Sequence, residues 1–180
     1  MIGKSCFKDC SSLSSIDLID PGEVKIGDHA FQKCTSLDNI LIFNASSIKI
    51  GSECFADAIN LKSAVFVANS VILGNDFIKN CQKLSAITIE SEENLAISAD
   101  TFGSNNLKCV KLVTKSTLEL DDLFFKHSKK IENIELSFKQ IYNKKFCFSE
   151  YSLLTIITLQ CEDDIHIINE YPSRNYKKIH

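Results

Sequence analysis

Cysteine is the residue type whose abundance in this sequence first suggests chemistry. The chain has eight cysteines, and two of them, Cys6 and Cys10, lie four residues apart. A zinc site would need paired short spacings with convergent ligands, yet no CxxC pair occurs and no histidine adjoins these two. Alanine fills several cysteine positions in other parts of the chain, and an unpaired cysteine behaves as a small hydrophobe. We therefore predict buried thiols and no metal site.

Histidines and acidic pairs are the other groups that could do chemistry. The histidines are His29, His127, His166 and His180. They occupy unrelated positions, and no serine or cysteine motif accompanies them to form a nucleophile–base pair. The acidic pairs are Glu92-Glu93, Asp121-Asp122 and Asp163-Asp164. They fall in turn-like stretches, whereas carboxylates for acid–base catalysis must converge in a cleft. We predict no catalytic residues, no cofactor and no enzymatic activity.

Composition and charge exclude further classes of protein. Apolar residues make up 44% of the 180 residues and the net charge is −3, so a sizeable core is expected and no basic run favours nucleic acid. No segment has the roughly 18 apolar residues of a membrane helix, so we expect no membrane insertion by this segment. The start, MIGKSCFKDC, lacks the apolar stretch of a signal peptide. A complete chain of this kind would be cytoplasmic.

The sequence contains an internal repeat, and several of the cysteines occupy equivalent positions in it. Copies begin at residues 2, 26, 50, 73, 97 and 120, and a degenerate seventh begins near residue 143, giving a period of 23 or 24 residues. Four of the six glycines occupy the second position of a copy: Gly3, Gly27, Gly51 and Gly74. Glycine is expected there if the backbone needs positive φ or if a neighbouring coil approaches closely. A large apolar residue follows four positions later: Phe7, Phe31, Phe55, Ile78, Phe102, Phe125 and Phe148.

Each copy also predicts a strand that is buried on one face. Two apolar positions separated by one residue recur, as at Ile40 and Ile42, and this alternation is typical of a half-buried strand. A further inward position follows six residues later, as at Val24, Ile48 and Ile72. One copy cannot bury its own apolar face, so the copies are expected to stack into a solenoid with a parallel sheet.

The repeat resembles the BspA-like class of leucine-rich repeats. The pattern of that class, close to IGxxAFxxCxxLxxIxLPxxVxx, is matched in residues 26–49 by Ile26, Gly27, Ala30, Phe31, Cys34, Leu37, Ile40 and Ile42. The resemblance covers roughly residues 2–167. It implies an α/β fold: a curved leucine-rich-repeat solenoid of about seven repeats, with a parallel sheet on the concave face and turns, 3-10 or helical pieces on the convex face. We expect residues 1–168 to form the solenoid and residues 169–180 a tail or partial cap.

The outward side of the predicted sheet is the candidate binding surface. Between the inward residues of the first three copies, five outward positions are apolar: Ile19, Leu41, Phe43, Val65 and Val67. A contiguous apolar patch marks an interaction site when it is exposed. Two alternatives stay open, namely that another segment or subunit covers the patch, or that strand propensity alone filled these positions.

The resemblance also implies a context for binding. Proteins of this class are surface and secreted proteins of bacteria and parasitic protists that are associated with adhesion, so the expected partner is a protein, including a host or extracellular-matrix protein. The alternative is an intracellular scaffold, which the abundant cysteines without an evident pairing pattern favour. An uncapped solenoid end exposes core and sheet edge, so end-to-end or edge self-association is also expected.

Overall fold

The computed structural model describes residues 1–98, 100–120, 128–141 and 152–161. Within these ranges the chain forms strands joined by turns, and no helix occurs. The strands are β1 Ser15–Ile19, β2 Glu23–Ile26, β3 Asn39–Ile50, β4 Ser63–Leu73, β5 Ala86–Ser91, β6 Leu95–Ile97, β7 Cys109–Thr114, β8 Thr117–Leu120, β9 Asn133–Ser137, β10 Gln140–Ile141 and β11 Ile156–Gln160. No described residue belongs to a helix that could cross a membrane.

The strands stack coil upon coil and form a parallel-strand solenoid of about six turns. The main sheet has the order β1-β3-β4-β5-β7-β9-β11, and β2 pairs with the second half of β3. A smaller sheet has the order β10-β8-β6. All of these strand pairings are parallel, and stacked partners such as Ser15 and Asn39, or Ser63 and Ala86, are 24 or 23 residues apart. The repeat period predicted from the sequence is therefore confirmed.

The segments around Phe7, Phe31, Phe55 and Ile78 stack on one another as a column of turns, which we call the turn column. Alternate N–H groups leave their own coil: Ser5 N donates to Asp28 O at 3.0 Å, and Phe7 N donates to Ala30 O at 2.8 Å. The intervening N–H of Cys6 closes a local turn onto Gly3 O. An α-helix needs these donors within one segment, so it cannot form. The turns predicted from the sequence are present, whereas the α/β class and the helical pieces are not confirmed, since the described residues form strands and turns.

Positive φ angles recur in the turn column and interrupt any helical run. They occur at two residues of each of the first four coils, four positions apart: Ser5 and Asp9, His29 and Lys33, Glu53 and Asp57, Asp76 and Asn80. Left-handed backbone occurs as single residues and does not extend into a helix for L-amino acids. Each coil consequently changes direction here through tight turns.

A stack of phenylalanines fills the core beside the turn column. The ring of Phe31 lies 5.2 Å from that of Phe7 and 5.4 Å from that of Phe55, and all three rings are nearly parallel. In the next coil Ile78 takes the position equivalent to Phe55. Phe77 is equivalent to Cys54, because Phe55 N donates to Phe77 O just as Phe31 N donates to Cys54 O. The smaller Ile78, where the other coils have phenylalanine, is thus accompanied by the larger Phe77, where the coil before has Cys54.

The glycines at the start of the coils allow close approach of the backbones. A Cβ on Gly51 would lie 2.5 Å from Asp28 N, and one on Gly74 would lie 2.5 Å from Ser52 N. Gly27 is similarly crowded by the coil before it, whereas Gly3 has nothing within 4 Å. None of these four glycines has positive φ. Of the two reasons for glycine considered from the sequence, close approach is therefore the one that applies at Gly27, Gly51 and Gly74.

One inward position predicted from the sequence is wrong. Ile72 is 56% exposed, and Val71 is buried in its place, because Ile48 pairs with Val71 and Lys49 with Ile72. The register shifts between Ile42 and Ala45, where β3 contains one residue more than β4. The third repeat is one residue shorter at this corner. Every later residue of β4 therefore points to the face opposite to the one that its count along the repeat predicts.

Candidate interaction surface

The main sheet has one face that packs on the core and one whose side chains point away from it, here called the open face. The five predicted binding residues all lie on the open face and on adjacent strands, and together they form the apolar patch. Ile19 is 65% exposed and Phe43 is 48% exposed, while Leu41, Val65 and Val67 are half-buried. The register pairs Ile19 with Phe43 and Leu41 with Val65, so these side chains are direct neighbours.

The open face changes character beyond the apolar patch. Across β5, β7, β9 and β11 it contains a shallow cavity of about 300 Å³, here called the polar groove. Side chains that line it include Thr88, Cys109, Lys111, Asn133, Glu135 and Thr158. Several of these residues occupy strand positions that hold apolar residues in the second and third coils. The sequence contains this switch from apolar to polar residues, but it predicts no cavity, because a cavity depends on side-chain lengths across four coils.

Lys111 is the central charge of the polar groove. Its Nζ lies 3.3 Å from Glu90 Oε1 and 3.5 Å from Glu135 Oε1. The hydrogen bond to Glu90 is the main cause that raises the pKa of Lys111. One ammonium group therefore serves two carboxylates, and this cluster of three side chains keeps a net negative charge. At the rim Lys108 pairs with Glu132 at 2.9 Å.

The cysteines of the described residues differ in burial, from fully buried through half-buried to exposed. Cys34, Cys54 and Cys81 are completely buried. Burial raises the pKa of Cys34 from 9.0 to about 11 and that of Cys81 to about 12, and it raises the pKa of Cys54 as well. Hydrogen bonds hold two of these thiols inside, since the Sγ of Cys34 donates to Phe7 O at 3.2 Å and that of Cys81 to Phe55 O at 3.3 Å.

Two cysteines depart from the predicted burial. Cys6 is exposed because, within the described residues, no coil stacks on the outer side of the first one, although the equivalent Cys54 is buried. Cys109 is exposed because it lies on the open face at the start of β7. Cys147 lies outside the described residues. The prediction of small buried residues is therefore correct for Cys34, Cys54 and Cys81 and wrong for Cys6 and Cys109, while Cys10 and Cys161 are half-buried.

The other groups considered for chemistry do not converge in the part of the chain that the structure describes. Among those residues no group of three or more histidine, cysteine or acidic side chains could hold a metal ion. His29 Nδ1 lies 3.6 Å from Glu53 Oε2 in a partly exposed pair. Glu92 pairs with Lys115 at 2.7 Å in a turn. The remaining histidines and the two aspartate pairs, at residues 121–122 and 163–164, lie outside the described ranges.

A match to a family model agrees with the repeat architecture. The family described as BspA type leucine-rich repeat region matches in six copies, over residues 1–117 and 91–179. No curated protein matches the chain. One similar solved structure is a leucine-rich repeat protein from Bacteroides ovatus ATCC 8483, with 18% sequence identity and a TM-score of 0.31. The alignment covers 99% of this chain, and it spans 63% of the length of that protein chain.

Proposed function

This chain belongs to the BspA-type leucine-rich repeat family, and on that premise we propose that it is a non-enzymatic module that binds a protein partner through the open face. The repeat positions that define the family are structural: they supply core, turns and strand register. A solenoid of this kind presents a long, rigid sheet surface, and function then depends on the side chains carried by that surface.

The exposed apolar patch is the observation that carries this proposal. Isolated exposed apolar residues are ordinary, but a contiguous group on one surface marks an interaction site. Strand propensity alone does not explain the patch, because Thr88, Lys111 and Glu135 fill the same strand positions in later coils. Ile19 and Phe43 remain 65% and 48% exposed, so no described segment covers them.

The cellular context of binding is part of the proposal. Family membership favours surface adhesion, with a host or extracellular-matrix protein as partner. An intracellular scaffold is the second candidate, and the thiols of Cys34, Cys54 and Cys81 favour it, because they are unpaired in the interior and thiols persist in reducing compartments. Fractionation of intact cells that express the endogenous protein, followed by immunoblotting, separates the two. Self-association at the solenoid ends or sheet edges stays a prediction.

The test of the proposal is a capture experiment with a matched control. Phe43→Ser/Val67→Ser removes two side chains of the apolar patch, and Ile72→Ser removes a comparably exposed apolar side chain outside the patch. Partners identified by mass spectrometry with the unaltered protein should be lost with the first variant and retained with the second. Retention with the first variant, when its melting temperature is unchanged, would contradict the proposal.

A further inference from the structure

Carboxylates stand on both sides of the apolar patch. Asp17 on β1 is exposed and pairs in register with Leu41, and Glu90 on β5 pairs in register with Val67. Among the described residues Asp17 makes no salt bridge. Glu90 shares Lys111 with Glu135, so a single cation balances two acids there. The patch is thus an apolar centre between two negatively charged sites.

The spacing of these two sites follows from sheet geometry. Between β1 and β5 the main sheet has three strand-to-strand steps, each about 4.8 Å. The residue of β5 that is aligned with Asp17 through the register is Thr88, and Glu90 lies two residues further along that strand. That offset adds about 6.6 Å along the strand. The two carboxylates are therefore separated by about 16 Å, on a diagonal that crosses the apolar patch.

An extended polypeptide can bridge that distance with side chains from one face. Residues i−2, i and i+2 of an extended chain point the same way, and positions i−2 and i+2 are about 13 Å apart. Lysine and arginine side chains are long enough to make up the remaining difference. An apolar residue at i would then lie over the patch while its two basic neighbours reach the flanking carboxylates.

We propose that the partner presents an extended segment of the form basic–x–apolar–x–basic, with its apolar side chain on the apolar patch and its basic side chains on Asp17 and Glu90. This inference rests on the proposed function, since it specifies the chemistry of the partner at the same surface. Lys111 assists by moving toward Glu135 when a basic side chain of the partner reaches Glu90. Electrostatic complementarity of this kind sets specificity and association rate more than affinity.

The experiment selects linear peptides displayed on phage against the immobilised full chain at low ionic strength. Peptides enriched in the basic–x–apolar–x–basic pattern are expected. A synthetic copy of the leading peptide is then measured by fluorescence anisotropy against variants. Asp17→Asn and Glu90→Gln should each weaken binding about two- to fivefold, as for exposed charge pairs, and the loss should shrink at high salt. Glu119→Gln, an exposed acid on β8, is the control and should change nothing.

The outcomes distinguish this inference from the proposed function. If Phe43→Ser/Val67→Ser abolishes binding but Asp17→Asn and Glu90→Gln behave like the control, the charge pattern is refuted and the interaction surface stands. Selection of neutral or acidic peptides at the same surface leads to the same conclusion. If binding survives Phe43→Ser/Val67→Ser, both proposals are refuted. If no peptide is selected, the extended-segment inference is refuted, and the capture experiment alone tests the interaction surface.

Discussion

Replacing Gly51 by alanine tests the stacking of the coils directly. The new Cβ would lie 2.5 Å from Asp28 N and 2.7 Å from Gly27 C, both backbone atoms. Ordinary contact begins near 3.4 Å, so the two coils must separate locally by roughly 1 Å, and a gap of that size forfeits up to about half of a contact's dispersion energy. The hydrogen bond from Gly51 N to Ile26 O, 2.8 Å long, would lengthen as well.

The magnitude follows from two opposing effects. Overpacking a close-fitting interior costs about 1–3 kcal/mol, while replacing glycine by alanine stabilises by about 0.4–1 kcal/mol through the unfolded chain. Gly3→Ala is the matched control, because its Cβ would meet nothing within 4 Å. The free energy of unfolding from urea titration should therefore be about 1–3 kcal/mol lower for Gly51→Ala than for Gly3→Ala, at equal m-value. Equal stability of the two variants would refute close approach as the reason for glycine.

Four further predictions concern the core, the thiols and the apolar patch. Phe31→Ala should lower the free energy of unfolding by about 3–5 kcal/mol, because the ring is buried between two others; a melting temperature near that of the unaltered protein would contradict the core assignment. Maleimide should label Cys6 rapidly and Cys34 slowly in the native protein, because only the first is exposed, and equal rates would be inconsistent with the structure. The raised pKa of Cys34 also predicts that the stability contributed by this thiol is complete below pH 9 and is lost as pH rises toward about 11, because the unfolded thiol ionises first. The free energies of unfolding of the protein and of Cys34→Ala, measured by urea titration across that range, should therefore converge. Phe43→Ser/Val67→Ser should change the free energy of unfolding by less than about 1 kcal/mol, and a larger loss would show that those side chains are core.

The strands and their faces could be predicted from the sequence because their burial pattern is local. Ile40 and Ile42 alternate with outward residues, and period-two alternation has one physical meaning in a stacked sheet. The glycine and phenylalanine positions recur every 23 or 24 residues, so the stacking register followed as well. The apolar patch was visible for the same reason, since it consists of the residues between the inward ones.

The remaining features depend on contacts between coils, which a single repeat does not encode. Whether the segment around Phe7 is a helix or a turn is decided by where its N–H groups bond, and alternate ones bond to the next coil. Ile72 was misplaced because the position of a one-residue shortening within a repeat has no local signal. The polar groove required knowing how Lys111 reaches Glu90 and Glu135 across neighbouring strands.

The turn column has an electrical consequence along the solenoid axis. Ser5 N donates to Asp28 O, and the peptide group that contains Asp28 O also contains the N–H of His29. That N–H in turn donates to Ser52 O. The chain of bonds continues from Glu53 N to Asn75 O and from Asp76 N to Asp100 O. Such chains of peptide groups all point in one direction, and each bond polarises the next. Peptide dipoles aligned head to tail add as they do in a helix. The turn column therefore carries a macrodipole, negative toward the first coil and positive toward later coils, that grows with every coil added.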